Sequence, residues 1–345
     1  MLKPYLYSLF FFLFINLNLI NAQSTQLKFL QFNIWQEGTV VNGGFEAIVD
    51  EILANNADII TFSEVRNYKN VPFNEKIILA LQKKGANYYS FLSYDSGILS
   101  KFPIESYQEV YPLKNDHGSA YKAVIKVNNN RIIAYTAHLD YLNAANYPPR
   151  GYDANTWKKL GKKLADVNEI LRINADSQRD EAINLIIKDA EIESKNGGIV
   201  ILGMDLNEPS HRDWKKNTKD LYDHNGLIIP WQNTMSLEKN GWIDAYRKIY
   251  PNVLTHPGFT FPAFNPHVPI NKLIWAKEAD DRDRIDFIFY KKHKKIRLNS
   301  ISILGPNTSI SNGNVIKEFT KDPFVLPKGI WPTDHKAILA TFTIK

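Results

Sequence analysis

The apolar run VILGMDLN ends on Asp205 and Asn207, and a D-x-N at a strand end puts both side chains on one face. Near the C-terminus, TDHKAILATF opens with Asp334 and His335, a carboxylate next to the side chain that titrates near neutral pH. Asn33 in LQFNIW, Glu64 in IITFSEV and His138 in AYTAHLD also close apolar runs, and Asp286 in RIDFIFY opens one. If the strands share an orientation, these groups collect at one sheet edge, where open α/β folds place their sites.

Such a set suits a hard divalent cation, which prefers carboxylate, amide and water oxygens and binds substrate phosphate. Glu64 is the expected principal ligand, with Asn33, Asp205, Asn207 and Asp334 supplying further oxygens, directly or through water. Mg²⁺ is the first choice of ion, with Mn²⁺ or Ca²⁺ as alternatives. His335 oriented by Asp286 suits proton transfer during attack on phosphorus. His138 and Asn207 can donate hydrogen bonds to the nonbridging oxygens as charge develops there. Taken singly, each residue has a plainer reading: Asn33 as a turn cap, Glu64 as a solvated helix-start acid, Asp286 as a partner of Arg282 or Arg284. Their joint occurrence favours chemistry.

The elements that must position these residues follow from hydrophobic period. Short apolar runs over Leu27–Phe32, Asp58–Phe62, Arg131–Ala137 and Gly198–Met204 predict buried strands. Helical spacing covers Phe45–Asn55 and Glu75–Lys84, and a longer helical stretch is expected from Trp157 to Lys195. Asp286–Tyr290, Ile296–Leu304 and Lys336–Ile344 read as strands joined partly by hairpin-like turns. A mixed sheet, or two packed sheets flanked by helices, is the expected α/β architecture.

With these pieces in place, the chain resembles the endonuclease/exonuclease/phosphatase superfamily, the DNase I-like fold. QFNIW, SEV, GILSKFPI, TAHLD, MDLNEP, DRIDFIF and TDHKAI occur in that family's order, and GWIDAYRKIYPN with GFTFP is similar to its connector before the Arg-Ile-Asp strand. The resemblance implies a four-layer α/β sandwich and metal-assisted hydrolysis of a phosphoester by direct water attack. It implies Glu64 as metal ligand, His138 as a phosphate contact and Asp286 as the residue orienting His335, while Asp205 is an alternative to His335 for activating the water. Two positions depart from the family pattern: Met204 stands where glycine is usual, with Gly203 one residue earlier, and Thr333 stands where serine is usual. The substrate stays open, because the same motifs serve nucleases, sphingomyelinase-like phospholipases and inositol phosphatases.

Composition narrows the field. The 345 residues carry 42 Lys+Arg against 36 Asp+Glu, a thinly spread net charge of +6 that does not mark a nucleic-acid partner. At 44 % hydrophobic and 23 % charged, the chain is not collagenous, disordered or multispanning. Cysteine is absent, which removes disulfides, thiolate metal sites and cysteine nucleophiles. Residues 1–22, with Lys3, an apolar run over Leu6–Ile15 and the small Ala22, read as a signal peptide. Residues 23–345 then form one exported domain, secreted or periplasmic.

Substrate choice is expected to come from the insertion after His138, a Tyr-, Asn- and Pro-rich loop in which Arg150, Tyr152 and Trp157 are the candidate contacts. His117 and Lys122 are further candidate phosphate contacts. The basic run KKHKKIR starts five residues beyond Asp286, about 17 Å along a strand at roughly 3.3 Å per residue. It therefore reads as a hairpin turn remote from the site, which disfavours nucleic acid without excluding a secreted nuclease. A lipid head group is also compatible, with Phe324, Ile330 and Trp331 as a rim. No protein partner is implied. A noncatalytic surface or carbohydrate-binding module on the same fold is the reading from another class, motivated by the aromatic insertion.

Overall fold

The computed structural model describes residues 24–345; the expected signal peptide lies outside the described residues. Among the described residues, fifteen strands run in chain order. They are β1 (Thr25–Asn33), β2 (Ile59–Val65), β3 (Tyr89–Ser90), β4 (Asp95–Ser100), β5 (Ile104–Tyr111), β6 (Gly118–Val127), β7 (Asn130–Leu139) and β8 (Ile199–Asp205). The rest are β9 (Trp242–Asp244), β10 (Asp286–Lys291), β11 (Ile296–Leu304), β12 (Thr308–Ser311), β13 (Asn314–Lys317), β14 (Phe324–Val325) and β15 (Ala337–Ile344). The helices are α1 (Gly44–Asn55), α2 (Phe73–Lys83), α3 (Val167–Ala175), α4 (Arg179–Lys195), α5 (Gln232–Lys239) and α6 (Ala245–Ile249). One sheet has the order β14-β11-β15-β1-β2-β4-β3, the other β5-β6-β7-β8-β10-β9, and β12-β13 is a separate hairpin.

Both large sheets are mixed: β1 runs parallel to β2 and antiparallel to β15, and β8 runs parallel to β7 and antiparallel to β10. Side chains alternate between two cores, as the period of a strand requires. Phe29 and Ile59 of the first sheet meet Ile132, Ile201 and Ile288 of the second in the central layer. Their neighbours Leu30 and Ile60 point outward onto Ile48 and Ile52 of α1 and Ile77 of α2. On the other side Ile133, Leu202 and Phe287 pack against Ile183 and Ile186 of α4. The result is the expected four-layer sandwich. Among the described residues no helix is long and apolar enough to cross a membrane.

Two expectations are corrected. The stretch from Trp157 is irregular up to Asp166, whose side chain accepts from the backbone N–H groups of Asn168 and Glu169 and so starts α3 there. The helix then breaks between Ala175 and Arg179, where the Arg179 guanidinium donates to the carbonyls of Asp140, Leu142 and Asn143 and ties the break to the end of β7. The turn after Lys291 is not a hairpin turn, because β10 and β11 lie in different sheets and the chain crosses from one to the other. At the departure from the family pattern, Met204 is fully buried in the outer layer beneath α4, and it is Gly203 that faces the first sheet. A Cβ on Gly203 would lie 2.1 Å from Thr61 Oγ1 and 2.9 Å from the Phe29 ring, so close approach of the two sheets demands glycine here.

Candidate active site

Strand register lines up the central acids. In the second sheet Asp205 at the end of β8 sits opposite His138 of β7 on one side and Asp286 of β10 on the other. The first sheet brings Asn33 at the end of β1 opposite Ser63 of β2. Glu64 follows at a bulge in β2, with a left-handed φ of 70°. Such conformations persist where surrounding structure over-determines them. Here Glu64 Oε1 accepts from Asn33 Nδ2 at 3.1 Å and Oε2 accepts from the backbone N–H of Gln36 at 2.9 Å. His335 precedes β15 and is fixed through its backbone: its carbonyl accepts from Trp331 Nε1 at 2.7 Å and its N–H donates to Thr333 Oγ1 at 3.2 Å. A threonine hydroxyl thus fills the place where serine is usual.

These residues wall one cleft of about 310 Å³, lined by Glu64, His138, Asp205, Asn207, Asp334 and His335 among others. His335 Nδ1 lies 2.9 Å from Asp286 Oδ2 and 3.8 Å from Asp205 Oδ2. Since a carboxylate only accepts, Nδ1 carries the proton. Burial alone would lower the His335 pKa, but Asp286 and Asp205 outweigh it and push it up to about 10. The same balance holds at His138, whose Nδ1 lies 2.8 Å from Asp95 Oδ1; burial opposes and Asp95 prevails, pushing the ring up to about 9. Asn207 Nδ2 donates to the Leu139 carbonyl at 2.9 Å and stands 3.2 Å from His138 Nε2, a contact that pulls toward the neutral ring and is weaker than the ionic one. Asp205 is raised by burial and then by the Asp286 charge, with the two imidazoles opposing.

Glu64 and Asp334 are the oxygen donors left without a cation: among the described residues neither forms an ion pair, and the Asp334 carboxyl is raised first by burial, with the Glu64 charge adding to it against His335. Unneutralised carboxylates sharing a cleft fit a hard divalent ion. Asp205, Asp286 and His335 also bring one ligand atom each within 4.8 Å of one another, but the Nδ1–H of His335 already occupies that meeting point. Asn33 does not present its oxygen to the cleft. Its Oδ1 accepts from the Trp35 N–H at 2.9 Å, and its amide nitrogen bridges Glu64 and Asp205 Oδ2. That makes it a spacer between two acids rather than a direct ligand.

Of the expected substrate contacts, Trp157 lines the cleft and the others do not. Lys122 is buried toward α4, where Nζ donates to Asp189 at 2.8 Å and Glu193 at 2.9 Å. Arg150 is buried beneath the cleft floor, donating to Asp283 and lying 5.3 Å over the Trp214 ring. Tyr152 is buried, its hydroxyl accepting from the Glu278 N–H at 2.9 Å. His117 Nδ1 lies 3.0 Å from Asp140 Oδ2. Nor do Phe324, Ile330 and Trp331 form a rim: Trp331 is buried against Phe32, Phe324 is partly buried against the central core, and Ile330 is exposed outside the cleft. Pairing of Asp286 with Arg282 or Arg284 does not occur; Arg282 holds Asp280 and Glu318, and Arg284 holds Asp213 and Asp244.

Residues not anticipated complete the site. Asp95 orients His138 and also receives Arg66, whose Nη1 lies 2.9 Å from Asp95 and 2.7 Å from Asp116. Arg66 lines the cleft two residues past Glu64, and Asp95 stands two residues before the GILSKFPI segment, so both lie close to recognised motifs. Tyr141, Trp275, Asp281 and Asp283 line the far end of the cleft and carry no sequence signal of their own.

Two mixed sheets whose ends converge on two acid-held imidazoles and unpaired carboxylates define a DNase I-like protein. The chain belongs to the endonuclease/exonuclease/phosphatase family, whose sequence profile matches residues 30–335. Members of this family act on phosphoester bonds. Along its sequence the chain is 29 % identical over 332 residues to the uncharacterized protein F14F9.5 of Caenorhabditis elegans, covering 93 % of each. Its fold is similar to that of D. rerio TDP2 complexed with a single-strand DNA product, with TM-score 0.53, 13 % identity and coverage of 92 % and 99 % of the two chains. It is also similar to an endonuclease/exonuclease/phosphatase family protein from Bacteroides thetaiotaomicron, with TM-score 0.51, 15 % identity and coverage of 94 % and 96 %.

Proposed function

We propose that the protein is an exported, divalent-metal-dependent phosphoester hydrolase that uses direct attack of water on phosphorus. The observation that carries this reading is the pairing of both cleft histidines with buried carboxylates, Asp286 at 2.9 Å and Asp95 at 2.8 Å, beside acids that have no cation. Cationic rings of this kind stabilise negative charge on nonbridging oxygens. With His335 protonated, the proton from water passes to Asp205, a carboxylate raised toward the range of a useful base. Glu64 and Asp334 would hold the metal, which when bound supplies Lewis-acid stabilisation of phosphate oxygen.

Hydrolysis of aryl phosphodiesters, inositol phosphates, sphingomyelin and nucleic acid, each with Mg²⁺, Mn²⁺ or Ca²⁺ and with excess chelator, tests the reading. Activity on at least one ester, abolished by chelator and restored by metal, is expected. Full activity in excess chelator overturns it. A nuclease is the second reading, favoured by the DNA product held by the D. rerio relative. Against it, the basic run begins at Lys291, at the end of β10 opposite Asp286, where Lys291 pairs with Glu191. Export, with cleavage near Ala22, is tested by N-terminal sequencing of protein recovered outside the producing cell.

A further inference from the structure

We infer that the pole of the sandwich opposite the cleft docks on an anionic lipid bilayer and leaves the cleft facing the water. Strands β1, β7, β10 and β15 each run from one pole to the other. At the cleft they carry or adjoin Asn33, His138, Asp286 and His335, and at the far pole they carry Thr25, Asn130, Lys291 and Ile344. From Thr25 to Asn33, β1 spans about 26 Å at roughly 3.3 Å per residue, so a surface touching the far pole does not reach the cleft. Hydrogen bonds tie that pole together: the Lys345 N–H donates to the Lys295 carbonyl at 3.0 Å, Lys295 Nζ to Asn130 Oδ1 at 2.8 Å, and Asn128 Nδ2 to Thr25 Oγ1 at 2.6 Å. The turn from β6 to β7 and the crossover from β10 to β11 therefore form one blunt end across both sheets.

This end is cationic. Residues 126–131 and 291–297 contain no Asp or Glu. Arg131 and Lys291 are held by Glu193 and Glu191 of α4, whereas Lys126, Lys292, Lys294, Lys295 and Arg297 form no ion pair among the described residues, and all of these but Lys295 are exposed. Five such cations against a net charge of +6 for the whole chain put most of its positive excess at one end. Their crowding reaches His293, whose pKa is lowered first by burial and then by the Lys295 and Lys294 charges. A planar layer of lipid phosphates suits this end better than a nucleic acid does. Four of the five cations are lysines, flexible point charges that meet a diffuse layer well, while bidentate or stacked recognition of phosphate and base selects arginine. The two segments also contain no Phe, Tyr or Trp on which a base could stack. Cations near an anionic bilayer attract it without a pocket. Docked in this way the protein stays at the membrane with its cleft open to water-soluble ligands.

Flotation of residues 23–345 with vesicles of phosphatidylcholine, with and without phosphatidylglycerol, tests the docking pole without reading turnover, so it stands apart from the hydrolase reading. Binding is expected only with phosphatidylglycerol and should be lost at about 1 M salt, where the Debye length falls to about 3 Å. Lys292→Gln combined with Lys294→Gln should weaken it by about tenfold or more, since each cation near an anionic surface contributes roughly fivefold. Lys215→Gln combined with Lys216→Gln removes the same charge next to Trp214, which bonds to Asp283 at the cleft, and should leave binding unchanged. No binding, or equal loss in the two pairs, overturns the docking pole. Tighter binding of a DNA oligonucleotide, lost with Lys292 and Lys294, overturns the lipid assignment in favour of nucleic acid. Orientation is read from Trp275, the only exposed tryptophan among the described residues and part of the cleft wall. Acrylamide should quench tryptophan emission as well on vesicles as in solution, and shielding by the vesicles overturns the outward-facing cleft.

Discussion

His335, just before β15 of one sheet, and Asp286, the first residue of β10 in the other, stand 49 residues apart in the chain, yet His335 Nδ1 and Asp286 Oδ2 are 2.9 Å apart across the sandwich. That contact makes His335 a cation at neutral pH and leaves Nε2 as its edge toward substrate. An activity that needs the cation persists below the His335 pKa and fails as pH rises through it.

In Asp286→Asn the ring loses the largest influence raising its pKa, so its pKa falls from about 10 toward 6.5. The alkaline limb of the kcat/KM profile should move to lower pH by at least one unit. A limb that stays where it was would show that His335 is not the group titrating.

Metal binding and proton handling should separate by mutation. Glu64→Gln keeps the volume and removes the ligand charge, so activity should fall and be partly restored by raising Mg²⁺. His335→Ala should lose about 10²- to 10⁴-fold in rate with no such rescue. Rates titrated with metal for both variants decide the point; equal rescue would place the histidine's role in the metal site.

Gly203→Ala should destabilise the sandwich by about 1–3 kcal/mol, the usual cost of forcing a methyl into a packed core. Its Cβ collides chiefly with Thr61 Oγ1, so adding Thr61→Ala should recover part of the loss. Urea unfolding of the single and double variants measures both. An unaltered midpoint in Gly203→Ala would refute the tight sheet-to-sheet contact.

His224 offers a stability test away from the chemistry. Burial against Trp214 and then the Arg150 charge depress its pKa from 6.5 to about 3. The unfolded chain therefore binds a proton that the folded chain refuses. Its effect on stability is absent above pH 6.5 and becomes progressively unfavourable as pH falls toward 3, at up to about 1.4 kcal/mol per pH unit. In His224→Phe, which keeps a ring on Trp214, unfolding free energy should fall less steeply between pH 6.5 and 4. Parallel slopes for the two proteins would contradict the assignment.

Much of this protein was determined by local pattern. Strand alternation in β1, β2, β7, β8 and β10 follows from period-two burial, and each strand's polar terminus carries a site residue because the apolar run must stop where the cleft opens. Glu64, His138, Asp205, Asn207, Asp334 and His335 were therefore legible as a set. What the sequence could not decide is which of two equally polar surfaces a side chain meets. Lys122 and Arg150 look like phosphate contacts in one dimension, but strand register turns Lys122 onto the acids of α4, and the insertion's packing sends Arg150 under the cleft to Asp283. Conversely, Asp95, Arg66 and the Trp157–Trp275 stack join the cleft only because distant strands and loops converge there. Local periodicity sets which way a residue faces within its own element; only the register between elements, fixed by the summed packing of two sheets and their helices, sets what it faces.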